Sequence, residues 1–94
     1  MFYPENEERF FKMLALAPDI QKYWDEKERS MKMKSVQVAL HRMDEEESVL
    51  LRFFVSVWFG NSDFANFKFI EHVKHMDESA RKIIRKWLLD PFFC

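Results

Sequence analysis

The stretch VLLRFFVSVWFG, Val49 to Gly60, restricts most strongly what this chain can fold into. Nine of the eleven residues before the glycine are large and apolar, and only Arg52 and Ser56 interrupt them. A strand of this length would be apolar on both faces, and the chain offers no comparable second strand for it to pair with. Arg52 and Ser56 are four residues apart, so on a helix they share one narrow stripe with Ser48. The pattern predicts a central helix that packs against neighbours on several sides.

Both ends of this helix carry the expected signals. Asp44 stands before the apolar run and three residues before Glu47, which is the spacing of a capping box. The acidic run Asp44–Glu47 also suits the positive end of a helix dipole. Gly60 is a natural C-terminal stop, because glycine adopts the left-handed conformation without strain. We therefore expect a helix over about 45–59.

Helical spacing of apolar residues recurs along the rest of the chain, and one glycine with three prolines leaves few breaks for a turn-rich β fold. The expectation is an all-α protein, a compact bundle of about five helices around the central apolar helix (about 45–59), forming a single helical domain over residues 1–94. Other helices are expected on either side of it. The first is ENEERFFKMLALA (5–17), and the next runs from Pro18 to about Arg29 and buries Ile20, Tyr23 and Trp24. After the central helix come FKFIEHVKHM (67–76), which buries Phe67, Ile70 and Val73 or their neighbours, and ESARKIIRKWLL (78–89), which Asp77 caps.

Residues 31–43 allow two interpretations. Met31 and Met33 alternate as on a strand, but the alternation slips before Val36. A helix places Met33, Val36 and Leu40 on one face without a slip. We favour the helix and keep a short strand as the alternative.

Composition narrows the class of protein. Fifteen basic and sixteen acidic side chains give a formal net charge of −1, so the molecule creates no overall cationic field. The lone Cys94 cannot form an internal disulfide, which suits a reducing compartment. The acidic N-terminus does not resemble a signal peptide, and the apolar stretch is shorter than the about 20 residues that span a bilayer. We expect a cytoplasmic protein that does not enter a membrane.

Groups that could carry catalysis or bind a metal are few. His72 and His75 lie three residues apart beside Glu71, but no third ligand is clustered with them, and they are best interpreted as solvated side chains. Cys94 lies in the terminal tail, where a thiol is expected to be inert. One glycine is too few for a phosphate-binding loop. We expect no catalytic residues, no metal site and no cofactor, and hence a protein that is not an enzyme.

The aromatic content points instead to contact with another protein. Eleven Phe, three Trp and two Tyr exceed what the core of so small a bundle needs, and aromatic residues are enriched at the centres of interfaces. The alternative is that the termini fold back over the central helix, with Phe92 and Phe93 filling a groove. We expect a protein partner, and self-association into a homodimer. The candidate partner-binding residues are Phe64, Phe67, Phe69, Phe92 and Phe93, with Phe2 and Tyr3 at the N-terminus.

A basic face on the last expected helix supports a second hypothesis. Its cations recur at helical spacing and could contact nucleic-acid phosphates. Asp77 and Glu78 lie four residues before two of them and reduce the free charge. A nucleic-acid-binding regulator is therefore the alternative function. The candidate residues are Arg81, Lys82, Arg85 and Lys86.

One segment resembles known proteins. It combines Arg52 with an apolar helix, Gly60 eight residues later, the Phe-x-Phe motif of Phe67 and Phe69, and a Met-Asp pair ending at Asp77. In this it resembles small uncharacterised proteins of bacterial plasmids, prophages and integrative elements. The resemblance implies a bacterial or phage source and an accessory role in a mobile element. The leading hypothesis is a non-enzymatic helical protein that acts by protein–protein interaction, as an inhibitor or accessory factor.

Overall fold

The computed structural model describes residues 4–94, with side chains from residue 5 onward. Six helices and one two-stranded hairpin make up this part of the chain, and its buried apolar side chains form one cluster. The all-α class is therefore confirmed. The elements in chain order are α1 (Pro4–Leu14), α2 (Pro18–Gln21), β1 (Trp24–Asp25), β2 (Ser30–Met31), α3 (Met33–Arg42), α4 (Glu45–Phe59), α5 (Phe69–Val73) and α6 (Glu78–Leu89).

The predicted bounds of the central helix are confirmed. Helix α4 begins after Asp44, whose carboxylate accepts a hydrogen bond from the backbone N–H of Glu47 at 2.8 Å. It ends at Gly60, which has a φ of 77° and donates its N–H to the carbonyl of Ser56. Side-chain capping and a left-handed terminal residue satisfy backbone groups that a helix leaves unpaired at its ends.

Helices on several sides enclose α4. Phe10 of α1 lies 5.7 Å from Phe54 and 5.1 Å from Trp58, measured between ring centroids. Phe53, on another side of α4, lies 5.3 Å from Trp87 of α6 in an edge-to-face arrangement. Helices α3 and α5 also pack against α4. The apolar pattern of residues 49–59 is thus explained by neighbours around the helix, as predicted.

The helix predicted from Pro18 to about Arg29 is wrong over most of its length. Helix α2 stops at Gln21, and the chain then forms an antiparallel hairpin in which Trp24 pairs with Met31. The predicted buried residues of this segment are nevertheless buried: Ile20, Tyr23 and Trp24.

Local geometry at the turn and packing at its base favour the hairpin. The Asp25 carboxylate accepts the backbone N–H of Glu28 at 3.1 Å, and Arg29 adopts a left-handed φ of 52°. The Trp24 ring packs 5.2 Å from the Phe10 ring. Aromatic burial of this kind outweighs the small differences in helix propensity of the intervening polar residues.

Residues 31–43 contain both of the structures considered for them. Met31 belongs to β2, and α3 begins at Met33. Val36 is fully buried and Leu40 half-buried, as the helix interpretation requires, whereas Met33 is exposed. The helix is confirmed for most of the segment, and the strand is confined to its first residue.

The described chain is compact. Its Cα radius of gyration is 12.3 Å, close to the roughly 12 Å expected of a folded chain of this length. No helix within residues 4–94 has both the length and the apolar character needed to cross a membrane.

Candidate protein-binding surface

The loop between α4 and α5 is fastened to α4 by Arg52. Its Nε donates to Ser48 Oγ at 2.9 Å, and its Nη1 donates to the backbone carbonyl of Ala65. Ser56 Oγ donates to the carbonyl of Arg52 at 2.8 Å. The predicted polar stripe of α4 therefore lies under the loop, where its polar groups hydrogen-bond to one another and to the loop backbone.

Helix α5 is fixed by a histidine that we expected to be solvated. His72 is only 6% exposed, so that expectation is wrong. Its Nδ1 lies 2.9 Å from the backbone N of Lys68 and 2.8 Å from the Lys68 carbonyl oxygen. The imidazole stacks on Phe67 at 5.6 Å with an interplanar angle of 8°. His72 thus closes the first turn of α5 and supports the Phe67 ring.

The residue of α5 that faces the core differs from the predicted one. Ile70 was a candidate for burial, but it is 78% exposed, whereas His72 is buried and Val73 half-buried. A helix of five residues can turn only a narrow side toward the core, and here that side carries the imidazole. The sequence pattern alone favoured the more apolar Ile70.

Three of the five predicted partner-binding residues come together in space. Phe67, Phe69 and Phe93 line a cavity of about 310 Å³, together with Trp87 and Leu88 of α6. The lining surface is mostly apolar. Phe69, Leu88 and Phe93 are exposed, Phe67 and Trp87 half-buried. We call this site the aromatic groove and define it by these five residues.

The other two candidates lie elsewhere. Phe92 is 8% exposed, and its ring lies beneath the Arg9 guanidinium, whose Cζ is 4.4 Å from the ring centroid. Phe92 therefore belongs to the core and offers no surface to a partner in this conformation. Phe64 is exposed and packs against Phe59 at 5.1 Å, outside the lining of the groove. Phe2 and Tyr3 fall outside the described residues.

The C-terminal segment positions Phe93 through two hydrogen bonds. Trp87 Nε1 donates to the carbonyl of Phe92 at 2.9 Å, and the Cys94 N–H donates to the Val57 carbonyl at 3.3 Å. Burial, with a smaller contribution from the negative charge of Glu7, raises the pKa of the Cys94 thiol to about 12. The thiol is therefore neutral near pH 7, and its protonated form is a poor nucleophile.

The predicted nucleic-acid-binding residues are all exposed on α6, but they do not form one uniform surface. Lys82 Nζ lies 3.8 Å from Glu78, and Lys86 faces α1 across a separate cavity. Asp77, expected to pair with Arg81, instead accepts the backbone N–H of Ala80 at 2.8 Å and caps the helix. The Asp77 cap itself was predicted and is confirmed.

The remaining polar candidates are held apart. His75 Nε2 lies 3.5 Å from the Glu45 carboxylate, and Glu71 lies 3.9 Å from Lys68. Within residues 4–94, no three His, Cys, Asp or Glu side chains are grouped so that they could hold a metal ion.

Two residues of the groove, Trp87 and Leu88, were not among the predicted partner-binding residues. Leu88 is exposed at the rim of the groove, and Trp87 is half-buried against the core. Their position in the last turn of an amphipathic helix is the signal that could have identified them.

Comparisons of this chain with protein-family models, with curated proteins and with solved structures find no significant match.

Proposed function

We propose that this protein is a non-enzymatic binding protein that contacts a partner protein through the aromatic groove. The observation that carries the proposal is the convergence of Phe67, Phe69 and Phe93 on one apolar cavity beside exposed Leu88. Aromatic side chains at such positions provide large contact areas at low conformational cost, and they are enriched among the residues that dominate binding energies.

The support of the groove by rigid elements favours binding. Phe67 is stacked on His72. Phe93 lies in a segment that a backbone hydrogen bond joins to α4 and that the Trp87 indole N–H joins to α6. Side chains that are held before binding lose less entropy on association. An apolar residue from a partner would fit a cavity of about 310 Å³.

The biological setting that we propose follows from the resemblance of the Arg52–Asp77 segment. This segment contains two groove residues, Phe67 and Phe69, and the Arg52 contact that fixes the preceding loop. We infer that the protein is an inhibitor or accessory factor of a bacterial mobile element or phage, acting by occlusion or bridging of its partner. The lone cysteine supports a location in the cytoplasm.

The test is affinity capture from source cells with matched variants. Phe69→Ser combined with Phe93→Ser removes two exposed groove residues, and we expect it to lose a captured protein that the parent chain retains. Ile70→Ser combined with Val38→Ser removes two residues that are at least as exposed but lie outside the groove. We expect this control to capture the same protein. Equal capture by both variants would contradict the proposal.

The exposed cations of α6 support the alternative of nucleic-acid binding. Arg81 and Arg85 lie four residues apart on one stripe, and no ion pair engages either of them within residues 4–94. If this alternative holds, Arg81→Glu with Arg85→Glu should abolish retention on a nucleic-acid column at low salt, since each phosphate contact contributes a salt-dependent term. A parent protein that passes through the column unretained would exclude it.

A further inference from the structure

A second groove runs along α6 and shares only Trp87 with the aromatic groove. It consists of two adjoining cavities, one of about 430 Å³ between α1 and α6, and one of about 530 Å³ where α2 meets the N-terminal ends of α4 and α6. Leu16 and Ile83 line both cavities, so the two form a single groove with these residues at its middle. We call it the α6 groove.

One end of the α6 groove is basic. Lys12 and Lys86 line it, are exposed and make no ion pair with any other side chain of residues 4–94. Arg9 also lines this end, but its Nη2 lies 3.1 Å from the Asp90 carboxylate, so these two charges offset each other. Two uncompensated positive charges therefore flank an apolar floor that includes Met13 and Trp87.

The other end is acidic. Five carboxylates line it and a single histidine, His75, accompanies them. The carboxylates of Asp44 and Asp77 are fixed in place by the caps that they form, and the remaining three are exposed. The five residues are Asp19, Asp44, Glu46, Glu47 and Asp77.

The two ends are far enough apart to act separately. Asp77 and Lys86 are nine positions apart along α6, which corresponds to about 13 Å along the helix axis. This exceeds the roughly 8–10 Å over which charges are screened at physiological salt. Each end therefore attracts an opposite charge on another molecule more effectively than it neutralises the other end.

We propose that the occupant of the α6 groove is a second copy of this chain, related by a two-fold axis that passes near Leu16 and Ile83. A two-fold axis places the same patch of each copy against the other, and each contact occurs twice. This two-fold symmetry places the basic end of one copy against the acidic end of the other, and it makes the two α6 helices antiparallel. The parallel arrangement would place like charges together, which is unfavourable.

The middle of the groove supports the same geometry. Leu16 lines both cavities, and its side chain is 54% exposed. It is therefore available to pack against the other copy near the axis. The net charge of −1 means that two copies repel each other only weakly as whole molecules. This proposal does not rest on the proposed function, because the two grooves have different lining residues apart from Trp87.

Reciprocal charge reversal with sedimentation equilibrium tests the proposal. The parent chain is expected to dimerise with rising concentration. Lys12→Glu with Lys86→Glu makes both ends acidic. Replacing the three exposed carboxylates outside the caps by lysine (Asp19→Lys, Glu46→Lys and Glu47→Lys) outweighs Asp44 and Asp77 and makes both ends basic. Each set is expected to weaken the dimer at least about ten-fold, since like charges then face each other. The chain that carries all of these reversals has opposite ends again and is expected to dimerise.

A matched control changes net charge without touching the groove. Lys27→Glu with Lys32→Glu alters two exposed lysines of the hairpin region and should leave the dimer unchanged. A parent chain that is monomeric up to about 1 mM would overturn the proposal. So would a dimer whose dissociation constant neither set of reversals changes, or a folded chain with all of the reversals that stays monomeric.

A second variant keeps the proposal testable if a reversal prevents folding. Leu16→Asn removes an exposed apolar side chain from a turn, so the circular dichroism and stability of the folded monomer should be unchanged. The dimer dissociation constant is expected to rise at least about ten-fold, because an asparagine near the axis is buried twice. An unchanged dissociation constant would overturn the proposed axis.

Discussion

Arg52 of α4 donates a hydrogen bond to the backbone carbonyl of Ala65, thirteen residues further along the chain. The same guanidinium bonds Ser48, so one side chain joins the polar stripe of the central helix to the loop that precedes the aromatic groove. The charge on Arg52 is therefore used to order the loop that leads to Phe67.

Arg52→Met tests this contact. Methionine keeps much of the side-chain volume but cannot donate a hydrogen bond. The carbonyl of Ala65 loses its Arg52 donor, and Ser48 Oγ loses the bond that it accepts from Arg52 while it still donates to the Glu45 carbonyl. We expect the free energy of unfolding to fall by about 1–3 kcal/mol, the range for losing hydrogen bonds to a charged group. Denaturant titration measures it, and Arg42→Met, at an exposed site on α3, should change the value by less than about 0.5 kcal/mol.

The two histidines of the EHVKH motif should differ sharply. His72→Ala removes a buried ring stacked on Phe67 and leaves the Lys68 backbone without its side-chain partner, so we expect a loss of about 2 kcal/mol in unfolding free energy. His75→Ala removes a more exposed imidazole near Glu45 and should cost less than about 0.5 kcal/mol. Equal effects in thermal or chemical unfolding would show that His72 does not support α5 as described.

Gly60 should tolerate asparagine better than alanine. Its φ of 77° is strained for residues with a Cβ, while an added Cβ would meet only the Phe93 Cβ at 4.0 Å, which is ordinary contact. Gly60→Ala is therefore expected to cost about 1 kcal/mol from backbone strain, and Gly60→Asn less, because asparagine enters the left-handed region more readily. Comparison of the two unfolding midpoints separates strain from steric clash, since a clash would penalise the larger asparagine more.

Cys94 should resist alkylation in the folded protein. Its pKa of about 12 leaves almost no thiolate at pH 8, whereas the unfolded thiol has a pKa of about 8.5. Iodoacetamide labelling followed by mass spectrometry should be slow in the folded state and fast in denaturant. Rapid labelling of the folded chain would contradict the described burial.

The same thiol makes the free energy of unfolding depend on pH in the alkaline range. Because its pKa is higher in the folded chain than in the unfolded chain, the unfolded state loses the proton first. The contribution of Cys94 to stability is thus fully present below about pH 8.5 and is lost as pH rises toward 12. Cys94→Ser should lack this component, so the stability difference between parent and variant should change with pH over that interval.

Part of the aromatic groove could be predicted from sequence. An excess of aromatic residues indicated that some rings remain accessible, and Phe67, Phe69 and Phe93 do meet at one surface. The sequence could not separate Phe92 from Phe93, because adjacent residues of an irregular segment have no periodicity. That choice depends on Arg9 and Trp87, which are distant in sequence and contact the segment only in the folded chain.

The sequence by itself determined where α4 and α6 begin and where α4 ends. Asp44, Asp77 and Gly60 act on backbone groups within a few residues of themselves, so their effect can be read locally. Only the tertiary structure decided that the segment around Trp24 is a hairpin and that His72, not Ile70, faces the core. Those outcomes depend on packing partners brought together from distant parts of the chain, and burial against such partners outweighs local propensities of less than about 1 kcal/mol per residue.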